Sequence, residues 1–318
     1  MIDSAVSMLA IPAPVLMAVA GVYAILVIAS LLVWWLQRRS GGGQGELAAR
    51  VKSWWVMVTV FAIAVFIYQP LSAVFLGLVS YLALKEYFSI IPTRKIDRLV
   101  MLAAYLAVPV QFWLAYRAEF GLFMVFIPVW VFLLIPTLMA LTGETAGFLR
   151  STGTISWGLM MTVFTLSHMA YLLFSGGAAN PLAGGAGLLF FLVFITQFND
   201  VAQFTWGKLM GKTRITPAVS PKKTWEGFLG GAATSVVLAG LIGPLLTPMD
   251  MLWSALAGGI IAVAGFLGDI TESAVKRDLG VKDAGALIPG HGGILDRIDS
   301  LTYAAPVFTH FFRYFFYP

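Results

Sequence analysis

The chain has no cysteine among its 318 residues, which excludes disulfides, zinc–thiolate centres and thiol nucleophiles. Charge is almost as scarce: Asp, Glu, Lys and Arg together make up 11% of the residues, and there are three histidines. Internal repeats, low-complexity tails and long polar stretches are also missing, so neither a separate soluble domain nor a nucleic-acid partner is expected. The N-terminus lacks the basic segment of a secretory leader, and its first charge is Asp3. The apolar run 14–36 is therefore read as an uncleaved first helix, with Arg38 and Arg39 holding its far end in the cytoplasm.

What the chain has instead is apolar surface, at 59% of residues. Runs near twenty residues recur along it, and lipid leaves no backbone group a partner outside the helix. The pattern predicts an all-α polytopic membrane protein with about ten spans: 14–36, 54–68, 70–84, 99–117, 121–142, 155–174, 184–205, 228–247, 251–270 and 301–317. The count falls to nine if one is re-entrant. Spans two and three, separated by Gln69-Pro70, read as a tight hairpin. With the N-terminus outside, the cytoplasmic segments hold 18 of the 20 Lys and Arg residues, leaving only Arg117 and Arg313 on the far side. Residues 1–183 read as scaffold and 184–318 as the site-bearing half. Trp34-Trp35 and Trp54-Trp55 flank charged loops as an interfacial belt does, and His168 and His310 read as core or interface residues.

The scarce charge is concentrated. Between Asp269 and Ser300 lie six carboxylates, four Lys or Arg, His291 and a glycine turn. Ionisable groups beside a membrane are costly, so such a cluster reads as functional. Asp269, Glu272, Ser273 and Lys276 share one helical face by spacing; taken alone, Glu272–Lys276 could equally be a surface ion pair. Further on, Pro289-Gly290-His291-Gly292-Gly293 offers glycine N–H groups to an anion and leads into Asp296-Arg297-Ile298-Asp299. Carboxylates beside a phosphate cradle suit Mg²⁺, with Asp269, Asp296 and Asp299 as the candidate ligands; salt bridges to Lys276, Arg277, Lys282 and Arg297 are the competing use of the same groups.

A second constellation runs from Asn199 to Gly227. Its Gly207-x-x-x-Gly211-Lys212-Thr213 is one residue short of a P-loop and follows a membrane helix rather than a strand, so that reading is rejected. Ser220-Pro221-Lys222-Lys223-Thr224 is expected to start a helix capped by Ser220, with two lysines placed for an anion; headgroup anchoring is the plain alternative. Asn199 and Asp200 need partners at the end of a span. Only two helices separate the two polar segments, so they should meet on one face.

From Ser273 through Lys276-Arg277, Lys282-Asp283, Gly285, Pro289 to Gly293 and Asp296-Arg297-Ile-Asp299, the chain resembles the C-terminal motif of phosphatidate cytidylyltransferases (CDP-diacylglycerol synthases). The spacing is intact over 27 residues. Asp200, Gly207-Lys208, Gly211-Lys212 and Ser220 to Gly227 are similar to the same family, so the likeness covers about 195–305. At Ala202-Gln203-Phe204 the chain departs from the family's Gly-Ala-Tyr-like sequence, as a divergent bacterial branch would.

The resemblance implies a reaction of CTP with phosphatidic acid giving CDP-diacylglycerol and diphosphate, in the bacterial inner membrane with the site on the cytoplasmic side. It implies Mg²⁺ held at Asp269, Asp296 and Asp299, a monovalent cation such as K⁺ nearby, and a homodimer. On this reading Lys222, Lys223, Ser220, Thr224, Gly292 and Gly293 take CTP phosphates. Lys276, Arg277, Lys282, His291 and Arg297 stand at the reacting groups, and Asp200 and Asp283 orient them. Competing readings are transfer to an isoprenoid or ether lipid phosphate, a CTP-dependent lipid kinase, and a non-enzymatic cation transporter. The last would carry its acids mid-span and in both halves.

Overall fold

Apolar periodicity without a polar counter-face becomes ten long helices among the described residues, which are 11–39, 45–66, 69–285 and 292–317 of a computed structural model. In chain order these are α1 (Ala13–Arg39), α2 (Gly45–Phe66), α3 (Gln69–Ile90) and α4 (Arg98–Tyr116). α5 (Phe120–Leu141) and α6 (Phe148–Ser175) follow, then α7 (Gly184–Met210), α8 (Trp225–Leu246), α9 (Met251–Asp278) and α10 (Leu295–Phe316). The first nine are long and apolar enough to cross a membrane. α10 stands outside that set, with Asp296, Arg297 and Asp299 in its first turns.

Two helices widen into π turns. In α5 the turn covers Phe126–Val131 and contains Pro128, whose ring and missing N–H disturb the regular ladder. In α6 it covers Met160–Phe164, where Ser80 Oγ of α3 reaches in to the Thr162 carbonyl at 2.5 Å.

α6 and α7 form the buried spine, while α1 and α2 present most of their apolar side chains outward. Arg38 and Arg39 at the end of α1 stack over Trp34 and Trp35, 3.8 and 4.1 Å from the ring centroids, in keeping with the expected belt. His168 is fully buried; its Nδ1 lies 2.8 Å from the Phe164 carbonyl and its ring packs on Phe123, as a core histidine does.

The four C-terminal helices pack consecutively, α7 on α8, α8 on α9 and α9 on α10. Small residues allow this: a Cβ at Gly268 of α9 would stand 2.5 Å from the Asp299 carbonyl of α10. Between α7 and α8 the chain turns back in a two-stranded antiparallel hairpin, β1 (Arg214–Thr216) with β2 (Ser220–Thr224), registering Thr216 opposite Ser220.

That hairpin corrects the helix expected to begin after Ser220. Ser220-Pro221-Lys222-Lys223 is extended, and α8 starts four residues later, where the Thr224 Oγ1 accepts the Gly227 N–H at 3.2 Å. Pro221 misled because it favours a first helical turn but fits an edge strand equally well. Two sites would have placed the helix start correctly. Thr224 is itself a favoured N-cap residue, and Glu226 is the acidic residue that a first turn favours.

Candidate active site

The two polar segments meet at one end of the bundle. Arg277, at the end of α9, donates Nε to the Val219 carbonyl of the hairpin (3.2 Å) and Nη1 to the Val281 carbonyl (3.3 Å). This residue ties the two segments together instead of pointing into a cavity.

Between them lies a polar pocket of about 420 Å³, walled by α7, the hairpin, α8 and α9. Its lining includes Asp200, Ser220, Lys222, Lys223, Thr224 and Asp269, six of the residues expected from sequence. Gln203 and Lys208, noted in sequence only as part of the family pattern or a departure from it, join them, as do Phe228 and Phe266, which were not singled out. Gln203 has a buried Nε2 with no protein partner, so it is available to a ligand. Phe228 and Phe266 read as ordinary membrane-helix residues in sequence; only the fold brings their rings to 4.4 Å and aims them at the pocket. Lys223 pairs with Asp269 across the pocket, its ammonium 4.9 Å from the Phe266 ring centroid, while Lys222 is exposed at the rim.

The glycines of the rejected P-loop have a packing role. Gly207 and Gly227 let α7 and α8 approach, and a Cβ at Gly211 would stand 2.7 Å from Thr224 Oγ1. The Lys212 and Thr213 N–H groups donate to the Glu226 carboxylate, both at 3.1 Å, and so are not offered to phosphate.

Beside the pocket, α7, α9 and α10 gather four carboxylates, Asp200, Asp269, Glu272 and Asp299, with Asp299 near enough to feel the charge of the other three. Ser300 Oγ donates to Asp200 (3.1 Å), Ser273 Oγ to Asp269 (3.3 Å), and the Ser300 N–H to Asp299 (2.7 Å). Glu272 is 5% exposed, so the surface-pair reading fails. Lys276 Nζ stands 3.2 Å from its Oε1, yet neither carboxylate oxygen has a hydrogen bond.

Asp296 departs from the expected set. Its Oδ1 takes the Lys276 ammonium at 2.7 Å, and its Oδ2 takes the Ala284 and Gly293 N–H groups at 3.1 and 2.9 Å. Three donors occupy it, and the Gly293 N–H expected to face a phosphate is spent on it. Gly292, at φ 80°, holds the turn in the left-handed region that glycine tolerates. Lys282 and Asp283 are exposed and line neither cavity. His291 lies outside the described residues.

The chemistry of the donors suits a hard cation: all are carboxylates, and Glu272 has two buried oxygens without hydrogen bonds. Among the described residues, however, no three of them converge in a ready metal-holding arrangement.

α7 also borders an apolar chamber of about 440 Å³, walled in addition by α1, α2, α3 and α10. Trp54, Phe61, Phe75, Val79 and Phe194 line it, and Arg297 and Gln197 are its polar exceptions. Arg297 has a buried Nε without a hydrogen-bond partner.

The sequence model of the "Cytidylyltransferase family" matches residues 48–315, and the chain belongs to that family and to its class, the nucleotidyltransferases. Over 299 residues it is 44% identical to the uncharacterized protein YnbB of Escherichia coli, covering 93% of this chain and 97% of that one. A phosphatidate cytidylyltransferase of Haemophilus influenzae is 41% identical over 142 residues, 43% of this chain and 48% of that one. One from Synechocystis is 48% identical over 114 residues, 35% and 38%. The chain thus spans about half or less of the length of these phosphatidate enzymes.

Proposed function

We propose that this protein transfers the cytidylyl group of CTP to phosphatidate, giving CDP-diacylglycerol and diphosphate. The observation that carries the reading is a polar, lysine-bearing pocket and an apolar chamber that share α7 as a wall, with Asp200 lining the first and Arg297 the second. One cavity suits a nucleotide triphosphate and the other a lipid chain.

In this reaction a phosphatidate oxygen attacks the α-phosphorus of CTP. A P–O bond forms there, the bond to the β-phosphate oxygen breaks, and diphosphate leaves with that electron pair. The attacking oxygen is already anionic, so its difficulty is repulsion from a triphosphate, which positioning and cationic groups reduce. Lys222 and Lys223 take the triphosphate, and Phe228 and Phe266 offer apolar faces to the base. Arg297, on the chamber wall, meets the lipid phosphate.

When bound, Mg²⁺ supplies charge neutralisation for the phosphates and the leaving diphosphate. Asp269 and Asp299 would hold it, with Asp200 and Glu272 at hand. Asp296, already holding Lys276 and two amides, keeps the turn and the lysine in place, with Asp283 outside the site. The basic end of the bundle faces the cytoplasm, where CTP is, which puts the N-terminus outside.

Purified protein given labelled CTP, Mg²⁺ and phosphatidate should yield a labelled CDP-lipid and diphosphate by mass spectrometry. A phosphorylated lipid with CDP would make it a kinase. A CDP-lipid formed only with isoprenoid or ether lipid phosphates would reassign the acceptor.

A further inference from the structure

α10 begins without a cap of its own. Ile294 holds the cap position and has no side-chain acceptor, so the first-turn N–H groups need one from elsewhere. It comes from the other half of the chain. Glu86 of α3 accepts the Leu295 N–H through Oε2 at 2.8 Å, bridging 209 positions of sequence. A carboxylate there also meets the positive end of the helix dipole.

The same carboxylate explains two glycines of the turn. A Cβ at Gly285 would lie 2.8 Å from Glu86 Oε1, and one at Gly293 would lie 2.5 Å from Oε2. A third, at Gly292, would lie 2.8 Å from Asp296 Oδ2. These glycines make room for two carboxylates of the protein itself. Asp296 fixes the turn from within, and Glu86 fixes it from the scaffold.

We infer that Glu86 is a positioning residue for the reaction: a cap supplied by α3 that sets the first turn of α10 and so the directions of Asp296, Arg297 and Asp299. Glu86 lines neither the pocket nor the chamber, so it acts through the turn and touches no substrate. The kinetic consequence rests on the cytidylyltransferase reading above; the capping role does not.

The test uses the full chain in nanodiscs. Hydrogen–deuterium exchange of peptides covering 292–298 should quicken at least about tenfold in Glu86→Ala, whether or not substrate turns over. With CTP and phosphatidate, Glu86→Ala should lose about 10- to 100-fold in kcat with KM for CTP within about threefold. Glu86→Gln keeps an acceptor oxygen and should retain at least about a third of kcat. Gly293→Ala should be impaired alone but cost nothing further in the Glu86→Ala background, because the carboxylate its Cβ would strike is gone.

Unchanged exchange in Glu86→Ala would overturn the inference outright. A Gln variant as inactive as Ala, a loss carried by KM, or additive losses in the double variant would each overturn the positioning role. If the wild-type protein transfers nothing from CTP to lipid, the functional reading fails, while the exchange experiment still decides whether Glu86 is the cap.

Discussion

In the first six helices buried polar side chains bond mostly to backbone, whereas the last four add to such bonds a group of buried charges that face one another. Ser80 reaches the Thr162 carbonyl, Tyr87 the Thr154 carbonyl and Gln111 the Phe123 carbonyl. These bonds join helices and leave those donors satisfied. At the site Lys223 faces Asp269, Lys276 lies between Glu272 and Asp296, and Glu272 keeps two oxygens without hydrogen bonds. Carboxylates crowded together at a membrane boundary cost stability unless cations share them. Buried atoms without a hydrogen bond occur in both parts, yet the charged ones among the described residues, Glu272 and Arg297, lie in the site half: the scaffold's charges are complete alone, and the site's are left for ligands.

Asp299→Asn and Asp269→Asn would strike this contrast hardest. Each should lower kcat for CTP by about 10²- to 10³-fold, the scale for losing a group that organises charge at a transition state. The fold should survive, because fewer like charges then crowd the cluster. Near wild-type turnover in both would mean that these carboxylates are structural, like the polar groups of the first half.

Lys222→Ala comes next. Its side chain is exposed at the pocket rim, so little stability rides on it, and KM for CTP should rise about tenfold. Unchanged kinetics would make Lys222 a headgroup anchor. A smaller effect follows on the lipid side. Val79→Trp adds a large ring to the chamber wall and should raise KM several-fold for long-chain phosphatidate more than for short-chain, with KM for CTP unchanged. Equal effects on all chain lengths would remove the chamber from lipid binding.

The helices were legible because apolar runs in lipid admit few other structures. Six pocket residues were legible for another reason: Lys222, Lys223 and Asp269 are charges that an apolar chain keeps only for a use. Asp296 looked equivalent to Asp299, since both lie on one helix, and spacing does not reveal that Ala284, Gly293 and Lys276 claim the first of them. Glu86 was hidden differently. It sits at the end of an apolar span beside Lys85, where a surface charge is unremarkable, and its partner is more than two hundred residues away. Gln203 showed only as a departure from the family pattern, and Phe266 as one more apolar residue in α9.

The contrast has one exception in the scaffold. Asp97, 1% exposed, receives Arg94 Nε at 3.0 Å, Arg94 Nη2 at 2.7 Å and Ser151 Oγ at 2.8 Å, while Arg94 Nη1 reaches the Ala146 carbonyl. It is a charge cluster like those of the site, yet its bonds lie within the α3–α4 connection or join that connection to the start of α6, and neither Arg94 nor Asp97 lines the pocket or the chamber. If completeness separates the halves, Asp97→Ala should act on stability alone. Removing one partner of a buried ion pair costs about 3–5 kcal/mol, and part of that returns here because Arg94 is exposed enough to regain water. The loss should appear as a lower unfolding midpoint in detergent, with kcat per folded molecule within about twofold of wild type. A large fall in kcat with the midpoint unchanged would mean that this charge also works on the site, and the scaffold would then be part of the reaction beyond Glu86.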